Sequence, residues 1–489
     1  MGCQAGSHDA GTRKSSTNLR MKDTKTHSPA PAAERSGSER GEDERSAAVG
    51  TDREVADRPT PEVFARSKGL SRFLGNVAAL LTANVYSQCV AVFSGIMIAR
   101  WIAPADYGVW VALNILPAYV SWVQFGTSNG LGRELPVKIG ECDENGAQDL
   151  VGTAVGFNAV AGLVGAALIP IVAVVLNPIV HGPTWRSGLV VIAATSSLNT
   201  FGAVLFMIAR SYRYFSKTAV LTGIQASLNL LGLLLIRSHG IYGLFARALI
   251  VNVFLIGGYI VITRKHLTAV RLRLSALRSL LRVGIPLFVA GYLAQLTSVA
   301  DRTLVSRFLS PEALGAYGLA TFLFSAVTGL GSNVTIVTFP ELAELFGRYG
   351  TVSYLWPCML RHVKLVLFFL GVPVALLWLL LPDLVRLLAP RYVSCVPPGR
   401  ILLISAVISC CGSAGANVLN AIGACWHTAS IECASLVTIW VLASLFLSNG
   451  YGSTGAAYAN LIAAVVYVLG VAVVLAHGCR RVPVRQTLQ

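Results

Sequence analysis

The sequence predicts an all-α, polytopic membrane protein with about twelve transmembrane helices in two pseudo-symmetric six-helix bundles. Three observations support this fold class. Hydrophobic residues make up 54% of the 489 residues and charged residues only 13%, a composition that a soluble protein of this size could not bury. Apolar stretches of twenty or more residues recur along the chain, and one long unit of the sequence occurs twice. A β-barrel would instead show short segments of alternating polarity.

Each predicted helix is an apolar segment long enough to cross the membrane, which takes about 20 residues for about 30 Å of hydrocarbon. The segments fall at 74–99, 107–132, 150–176, 187–209, 217–237, 240–263, 283–306, 313–339, 363–382, 399–424, 428–448 and 453–476.

The duplicated unit is visible in four residues of the first half that recur in the second half at one offset of 207 residues. Gln88, Arg100, Pro104 and Gly108 match Gln295, Arg307, Pro311 and Gly315. A shorter match follows at a nearby offset, between residues 243–249 and 455–461. A repeat of this length, built from apolar helices, is typical of a membrane transporter whose pathway lies between two related halves.

The charge distribution predicts how the helices are oriented. Lys and Arg are concentrated in the loops at one end of the twelve-helix arrangement, and the positive-inside rule places that end and both chain termini in the cytoplasm. The same loops account for the net charge of +16, because residues 1–68 are nearly neutral. No basic stripe stands apart from these loops. We therefore expect no nucleic-acid partner.

Composition divides the chain into five parts. They are a disordered cytoplasmic tail at 1–68, an N-terminal helix bundle at 69–263, a basic amphipathic cytoplasmic linker at 264–282, a C-terminal helix bundle at 283–478 and a cytoplasmic tail at 479–489. The first tail is rich in small and polar residues that cannot bury enough apolar surface to fold, and a later start, at Met21 or beyond, is an open alternative. The linker either binds anionic headgroups or a partner enzyme, or only tethers the bundles; the tether is favoured.

Four ionisable residues are predicted at membrane depth: Arg247, Asp301, Arg302 and Glu432. A charge there costs about 3 kcal/mol on insertion scales and persists beside a cavity or a partner. One hypothesis places Arg302 and Arg247 in a central cavity as substrate-binding cations for a phosphate-bearing headgroup, with Asp301 as counter-charge or protonatable coupling group. The alternative is that Asp301 pairs with either arginine to lock helices together, or that the arginines extend to the membrane surface. Glu432 is interpreted as a structural or interfacial carboxylate.

Amide side chains are unusually frequent in the predicted helices, and three of them are candidates for polar substrate contacts. Gln88 and Gln295 occupy matching positions of the repeat, and Asn84 lies on the same predicted helix as Gln88. Amides donate and accept hydrogen bonds, which suits sugar hydroxyls, although each equally serves as a bond between helices. The sequence has no Walker A, HExxH or GxSxG motif, so we expect a transporter rather than an enzyme, without catalytic residues, cofactor or metal site.

Several motifs carry a family resemblance. They are Arg100-Trp-Ile-Ala-Pro104-Ala-Asp-Tyr-Gly108 between the first two helices, Leu135-Pro136-Val-Lys138-Ile-Gly140 after the second, Asp301-Arg302-Thr-Leu in the seventh, and Gly452-Ser-Thr-Gly455 in the second half. In this order, over roughly residues 70–480, they resemble the bacterial polysaccharide and O-antigen flippases, which handle lipid-linked oligosaccharides. That family belongs to the superfamily of multidrug, oligosaccharidyl-lipid and polysaccharide exporters.

The resemblance implies a transporter of the bacterial inner membrane that opens alternately to either face. Its substrate would be a polyprenyl-diphosphate-linked oligosaccharide, flipped for the synthesis of surface polysaccharide such as lipopolysaccharide or exopolysaccharide. Membrane lipids, a polysaccharide polymerase and glycosyltransferases are the expected partners. The alternatives are a cation-coupled multidrug exporter of the same superfamily, which would favour acidic cavity residues, a membrane-embedded polymerase or ligase, and a non-transporting component of envelope biosynthesis. The sugar, the coupling ion and the oligomeric state cannot be read from these motifs.

Overall fold

The structure, a computed structural model, describes residues 61–176, 182–267, 272–349, 356–421 and 424–478. Within these ranges the chain is almost entirely helical and has no β-strand, so the predicted all-α class is confirmed. The predicted tail at 479–489 lies outside the described residues. Residues 1–60 of the predicted tail at 1–68 also lie outside them. Residues 61–68 were predicted to be disordered, but they belong to the first helix. This helix begins at a proline, a residue favoured at the first helical position.

The helices fall into two lobes. The N lobe consists of α1 (Pro61–Trp101), α2 (Pro104–Val120), α3 (Thr127–Gly140), α4 (Glu144–Leu176), α5 (Pro183–Ser211), α6 (Phe215–Leu231) and α7 (Leu233–Thr263). The C lobe consists of α8 (Leu274–Phe308), α9 (Pro311–Tyr349), α10 (Trp356–Val366), α11 (Val372–Leu388), α12 (Val396–Ala421), α13 (Cys425–Ser448) and α14 (Gly452–Gly478).

A bend divides the second predicted transmembrane segment into α2 and α3. The chain passes through a short 3-10 turn at Ser121–Gln124, after which Phe125 and Gly126 take left-handed φ angles of 45° and 74°. Neither angle belongs to a right-handed helix, so α3 leaves α2 at 52°. The bend brings α3 against α8 of the other lobe.

Ten helical spans of the described chain are long and apolar enough to cross a membrane, with α10 and α11 counted together as the span Trp356–Leu388, and the bent pair α2–α3 makes an eleventh. The remaining predicted segment, 217–237, is divided between α6, which has only 17 residues, and the first turns of α7. Gly240, with φ 56° and ψ −129°, then breaks α7 where the sixth predicted helix begins, a conformation that glycine adopts without steric cost. Each of the twelve predicted segments is thus helical over most of its described residues, and the chain is a multi-pass membrane protein.

Helix α8 begins at Leu274, inside the segment 264–282 that the sequence assigns to a surface linker. The second half of the predicted amphipathic linker thus continues directly into a membrane helix, and residues 268–271 lie outside the described part. The start of α8 is fixed to the N lobe through Arg273. Its backbone N–H donates to Thr153 Oγ1 at 3.2 Å, and its guanidinium pairs with Asp149.

The two lobes contact each other at the end where α2 and α9 begin, which we call the Pro–Gly end. Pro104 and Pro311 start these helices, and the helices cross at Gly108 and Gly315. A Cβ added to Gly108 would overlap the carbonyl of Pro311, and one added to Gly315 would overlap the carbonyl of Pro104. The repeated residues therefore contact each other across a pseudo-two-fold axis, at a distance that only glycine permits.

The lobes also meet at the opposite end, which we call the basic end because Arg210 and Arg213 lie there. Here α3 packs on α8, and a Cβ added to Gly130 would lie 2.9 Å from the carbonyl carbon of Leu280. Gly126 approaches the same helix in the same way. Two glycines four residues apart, as Gly126 and Gly130 are, are a sequence pattern typical of close helix packing, and the α3–α8 contact holds the lobes together at this end.

Candidate functional site

A cavity of about 240 Å³ lies in the N lobe, bounded by α1, α2, α6 and α7. We call it the arginine pocket; its polar and aromatic lining consists of Ser87, Ser94, Tyr107, Trp110, Asn229, Arg247 and Phe322. Phe322 belongs to α9, so the C lobe contributes one wall. The pocket therefore lies where the two halves of the repeat meet, as expected for a transport pathway.

Arg247 is held in the pocket wall by its aliphatic stem. The stem lies on Gly232, where a Cβ would come within 2.6 Å of Arg247 Cδ. Its Nη1 donates to the backbone carbonyl of Asn229 at 3.4 Å, and no carboxylate pairs with it in the described ranges. Ser94 Oγ in the same pocket is buried without a hydrogen-bond partner. The pocket thus offers an unneutralised guanidinium and an unused hydroxyl, which suit an anionic ligand that accepts hydrogen bonds.

Asp301 lies in close packing inside the C lobe, with only 2% of its surface exposed. Its Oδ2 accepts hydrogen bonds from the Tyr317 hydroxyl at 2.8 Å and the Asn460 amide at 3.1 Å, and its Oδ1 accepts from the backbone N–H of Arg302 at 2.6 Å. Asn460 Oδ1 accepts in turn from Ser405 Oγ at 2.7 Å. The carboxylate therefore joins α8, α9, α12 and α14. This geometry suits the helix-locking alternative, and a coupling or counter-charge role toward substrate stays a prediction.

Arg302 lies beside this network. Its Nη2 donates to the carbonyl of Ser298, its Nε lies 3.9 Å from Asp301 Oδ1, and that Nε is buried without a hydrogen bond. Arg302 is not among the residues that line the arginine pocket, so the structure does not bring Arg302 and Arg247 into one cavity wall. The neighbouring carboxylate weakens the attraction of Arg302 for an anion, and its role in substrate binding stays a prediction.

The repeated glutamines make related contacts between the lobes. Gln88 Nε2 on α1 donates to the carbonyl of Ala326 on α9 at 3.2 Å, and Gln295 Oε1 on α8 accepts from Ser121 Oγ, next to α2, at 3.1 Å. Each bond joins the first helix of one lobe to the second helix of the other lobe or to the residue directly after it. Asn84 is half-buried on α1 and has no hydrogen bond within the described residues. The two glutamines thus lie at the lobe contact, and none of the three amides lines the arginine pocket.

A second cavity, of about 420 Å³, lies in the C lobe and was not anticipated from the sequence. We call it the hydroxyl pocket; its polar lining consists of Thr297, Ser298, Thr328, Ser332, Ser409, Ser413, Asn417, Glu432, Ser435, Asn460 and Tyr467. Asn417 Nδ2 is buried without a hydrogen-bond partner, and Glu432 has no ion pair in the part of the chain that the structure describes. Hydroxyls, amides and an aromatic ring around one space are the groups that bind neutral polyols.

Sequence reasoning missed the hydroxyl pocket because serine and threonine are ordinary residues of membrane helices. Their side chains commonly bond to a carbonyl one turn earlier, as Ser413 does to Cys410 and Ser435 to Ile431. Glu432 was recognised as a deep charge, but its position on the cavity wall depends on the rotation of α13, which periodicity alone does not fix. A charge at membrane depth usually faces a cavity or a partner, and this was the signal in the sequence that could have placed Glu432 on a cavity wall.

The sequence profile of the polysaccharide biosynthesis protein family matches residues 97–391, which is more than half of the chain. The chain belongs to that family. No curated protein sequence matches it. The matched region begins near the end of α1 and ends at the start of the C lobe's 3-10 turn at Pro390–Cys395, so it includes the arginine pocket's Arg247 and the Pro–Gly contact.

Solved structures show which fold this family member has. It is similar to a multidrug resistance MATE family transporter of the MOP superfamily in its inward-facing conformation, with 15% identity, a TM-score of 0.66, and coverage of 80% of this chain and 96% of that one. It is similar to the lipid II flippase MurJ in an inward closed conformation, at 14% identity and a TM-score of 0.65, covering 80% and 86%. A mutant of the Vibrio cholerae MATE transporter VcmN matches at 16% identity and a TM-score of 0.58, covering 85% and 98%. At these identities the likeness is one of fold, and the fold is that of the MOP superfamily.

Proposed function

We propose that this protein flips a polyprenyl-diphosphate-linked oligosaccharide across the bacterial inner membrane by alternating access, for the synthesis of surface polysaccharide. The observation that carries the proposal is the unpaired guanidinium of Arg247 in the arginine pocket, at the contact between the lobes. An unneutralised cation at membrane depth is costly unless a ligand uses it. Membership of the polysaccharide biosynthesis family and a fold shared with a lipid II flippase support this substrate class.

The two pockets suit the two ends of such a substrate. The guanidinium of Arg247 and the hydroxyl of Ser94 match a diphosphate, because phosphate oxygens accept several charge-assisted hydrogen bonds. The hydroxyls, amides and Tyr467 ring of the hydroxyl pocket match sugars. The polyprenyl chain would stay in the bilayer beside the lobes, where it loses no apolar contacts.

Alternating access requires contacts that close one end while the other opens. The Gly108/Gly315 contact serves this purpose at the Pro–Gly end, and the Gly130 contact with α8 at the basic end. By the positive-inside rule the basic end faces the cytoplasm, where lipid-linked sugars are assembled before flipping. A polymerase and glycosyltransferases would then act at the two faces of the membrane.

The test is leaflet translocation by purified protein in vesicles, with a fluorescent polyprenyl-diphosphate sugar. Arg247→Ala is expected to stop translocation and surface polymer without loss of the protein from the membrane, and Arg247→Lys to retain part of both. Arg237→Ala is the matched control, since Arg237 lies on the same helix and is exposed. Full translocation by Arg247→Ala would contradict the proposal. No translocation by the unaltered protein would favour a non-transporting role.

Glu432 favours a second candidate function. An unpaired carboxylate on a cavity wall suits cationic drugs, and MATE transporters share the fold. If the protein exports cations, Glu432→Gln abolishes drug resistance conferred by expression of the protein, while Arg247→Ala leaves that resistance intact. The opposite pattern supports the flippase.

A further inference from the structure

A third cavity, of about 710 Å³, opens at the basic end between α3, α5, the start of α6 and α8. We call it the vestibule; it is lined by Asn129, Gly132, Arg133, Pro136, Met207, Arg210, Ser211, Arg213, Phe215 and Leu287. Three of these residues are arginines and none is acidic. The vestibule is therefore a concentration of positive charge around one space, next to an apolar wall.

The side chains of the three arginines differ from those of Lys138 and Arg273 at this end, which have carboxylate partners. Lys138 pairs with Glu141 at 2.9 Å, and Arg273 pairs with Asp149. The side chains of Arg133, Arg210 and Arg213, by contrast, form no ion pair or hydrogen bond within the described ranges. Some other arginines at this end, such as Arg278, are also unpaired there, but these three line one cavity. Charges that serve only membrane orientation have no need to converge on one cavity, so their convergence calls for a ligand.

The backbone of Arg213 supports a role for its side chain. Arg213 has a left-handed φ of 59° just after α5, and Tyr214 N–H closes the turn on the Ala209 carbonyl at 2.9 Å. This is the position at which helices usually place glycine, since an L-residue with a Cβ is disfavoured there. An arginine at this position has a conformational cost that glycine would avoid.

The arginine-bearing turn is also held rigidly. The Tyr212 ring stacks on the His266 ring with centroids 3.5 Å apart, and the Tyr214 hydroxyl hydrogen-bonds His266 Nε2 at 2.9 Å. His266 follows the end of α7, so the turn between α5 and α6 is fixed to a second element. The guanidiniums of Arg210 and Arg213 therefore start from a fixed backbone, which lowers the entropic cost of binding.

We propose that the vestibule is a docking site for the diphosphate of a prenyl-linked substrate at the leaflet from which it is taken. This inference rests on the proposed function and names a second site for the same ligand chemistry, separate from the arginine pocket. One guanidinium can bind two phosphate oxygens at once, so three guanidiniums match the oxygens of a diphosphate better than those of a single phosphodiester headgroup. Met207, Phe215 and Leu287 give the first prenyl units an apolar surface.

The test measures binding, not transport. Purified protein in phosphatidylcholine nanodiscs is titrated with geranylgeranyl diphosphate, and binding is followed by thermophoresis. Combined Arg133→Gln, Arg210→Gln and Arg213→Gln should raise Kd at least tenfold, and Arg213→Gly alone should raise it severalfold while keeping a fold that glycine favours. The matched control is Arg264→Gln, Arg278→Gln and Arg282→Gln, which removes three charges at the same end but none from the vestibule. Equal binding by the vestibule variant, or an equal loss in the control, overturns the proposal.

Two further arms identify the source of the phosphate. Inorganic pyrophosphate should compete weakly, and nanodiscs with phosphatidylglycerol should leave the Kd of geranylgeranyl diphosphate within about twofold, apart from a uniform salt-sensitive change. Displacement of the prenyl diphosphate by phosphatidylglycerol would assign the vestibule to anionic lipid and overturn the proposal. If Arg247→Ala blocks translocation while the triple vestibule variant binds geranylgeranyl diphosphate as the unaltered protein does, the proposed function stands and only this inference is removed.

Discussion

The contact between Gly108 and Gly315 makes a quantitative prediction. A Cβ on Gly108 would lie 2.8 Å from the carbonyl carbon of Pro311, and one on Gly315 would lie 2.8 Å from that of Pro104. Carbon atoms normally pack about 3.5–4.0 Å apart, so alanine at either position forces the helices apart by about 1 Å. Overpacking of this kind costs about 1–3 kcal/mol, and in the proposed alternating access both glycines lie between lobes that separate when the Pro–Gly end opens. A cost of about 2 kcal/mol to the closed state shifts its population roughly thirtyfold toward the open state.

The shift can be measured as a distance. Spin labels at Asp106 and Glu312, both exposed at the Pro–Gly end, report the separation of α2 and α9 after the native cysteines are replaced. Gly108→Ala and Gly315→Ala should each add a longer-distance population. Gly291→Ala is the control, because a Cβ there meets nothing within 4 Å.

The reasoning is refuted if Gly108→Ala and Gly315→Ala give the same distance distribution as the unaltered protein while remaining folded. A change that also occurs in the Gly291→Ala control would be equally damaging, since it would show a general effect of alanine in these helices. The double variant should open further than either single variant, because both substitutions act on one contact.

Three further predictions concern the remaining contacts. Asp301→Asn should lower the free energy of unfolding by about 2 kcal/mol, because an amide cannot accept hydrogen bonds from all three donors that the carboxylate satisfies. The readout is a lower melting temperature in detergent. An unchanged melting temperature would contradict the network. Gln88→Leu and Gln295→Leu should each cost about 0.6 kcal/mol and loosen the lobe contact, which adds a longer-distance population between the spin labels. An unchanged distance distribution would contradict this prediction. Burial, with Lys265 adding to it, lowers the pKa of His266 below its usual 6.5, so its stabilising neutral form is lost as pH falls below that value. Protease cleavage near the α5–α6 turn should therefore increase between pH 7.5 and 5.5, and His266→Gln should abolish that pH dependence.

Much of the fold could be predicted from the sequence because membrane helices are defined by length and polarity. The twelve segments, the repeat and the close packing at Gly126 and Gly130 all follow from one-dimensional patterns. The break at Gly240 coincides with the predicted boundary between the segments 217–237 and 240–263. The division of α6 from α7 at Gly232 could not be foreseen, since glycine in an apolar run is equally common inside straight membrane helices.

The candidate site was only partly predictable. Arg247 and Asp301 stand out as charges at depth, but which of them faces a cavity depends on helix rotation within a few tens of degrees. Asp301 points into packed side chains and Arg247 into a pocket, and both outcomes fit the same sequence pattern. The vestibule arginines were assigned to membrane orientation, because a loop charge that binds a ligand looks the same in sequence as one that only sets topology.

The arginine pocket and the hydroxyl pocket lie at matching places in the two halves of the repeat but differ in chemistry, since Ser87, Val90 and Ala91 of the first correspond to Ala294, Thr297 and Ser298 of the second. At the offset of 207 residues, Ser94 and Gly95 of α1 correspond to Asp301 and Arg302 of α8, so small residues that leave space in one lobe are replaced by a charged pair that fills it in the other. Two fused halves that have diverged in this way no longer treat a bound molecule symmetrically. A ligand with one anionic and one neutral end would therefore bind in one orientation, with its charged end in the N lobe.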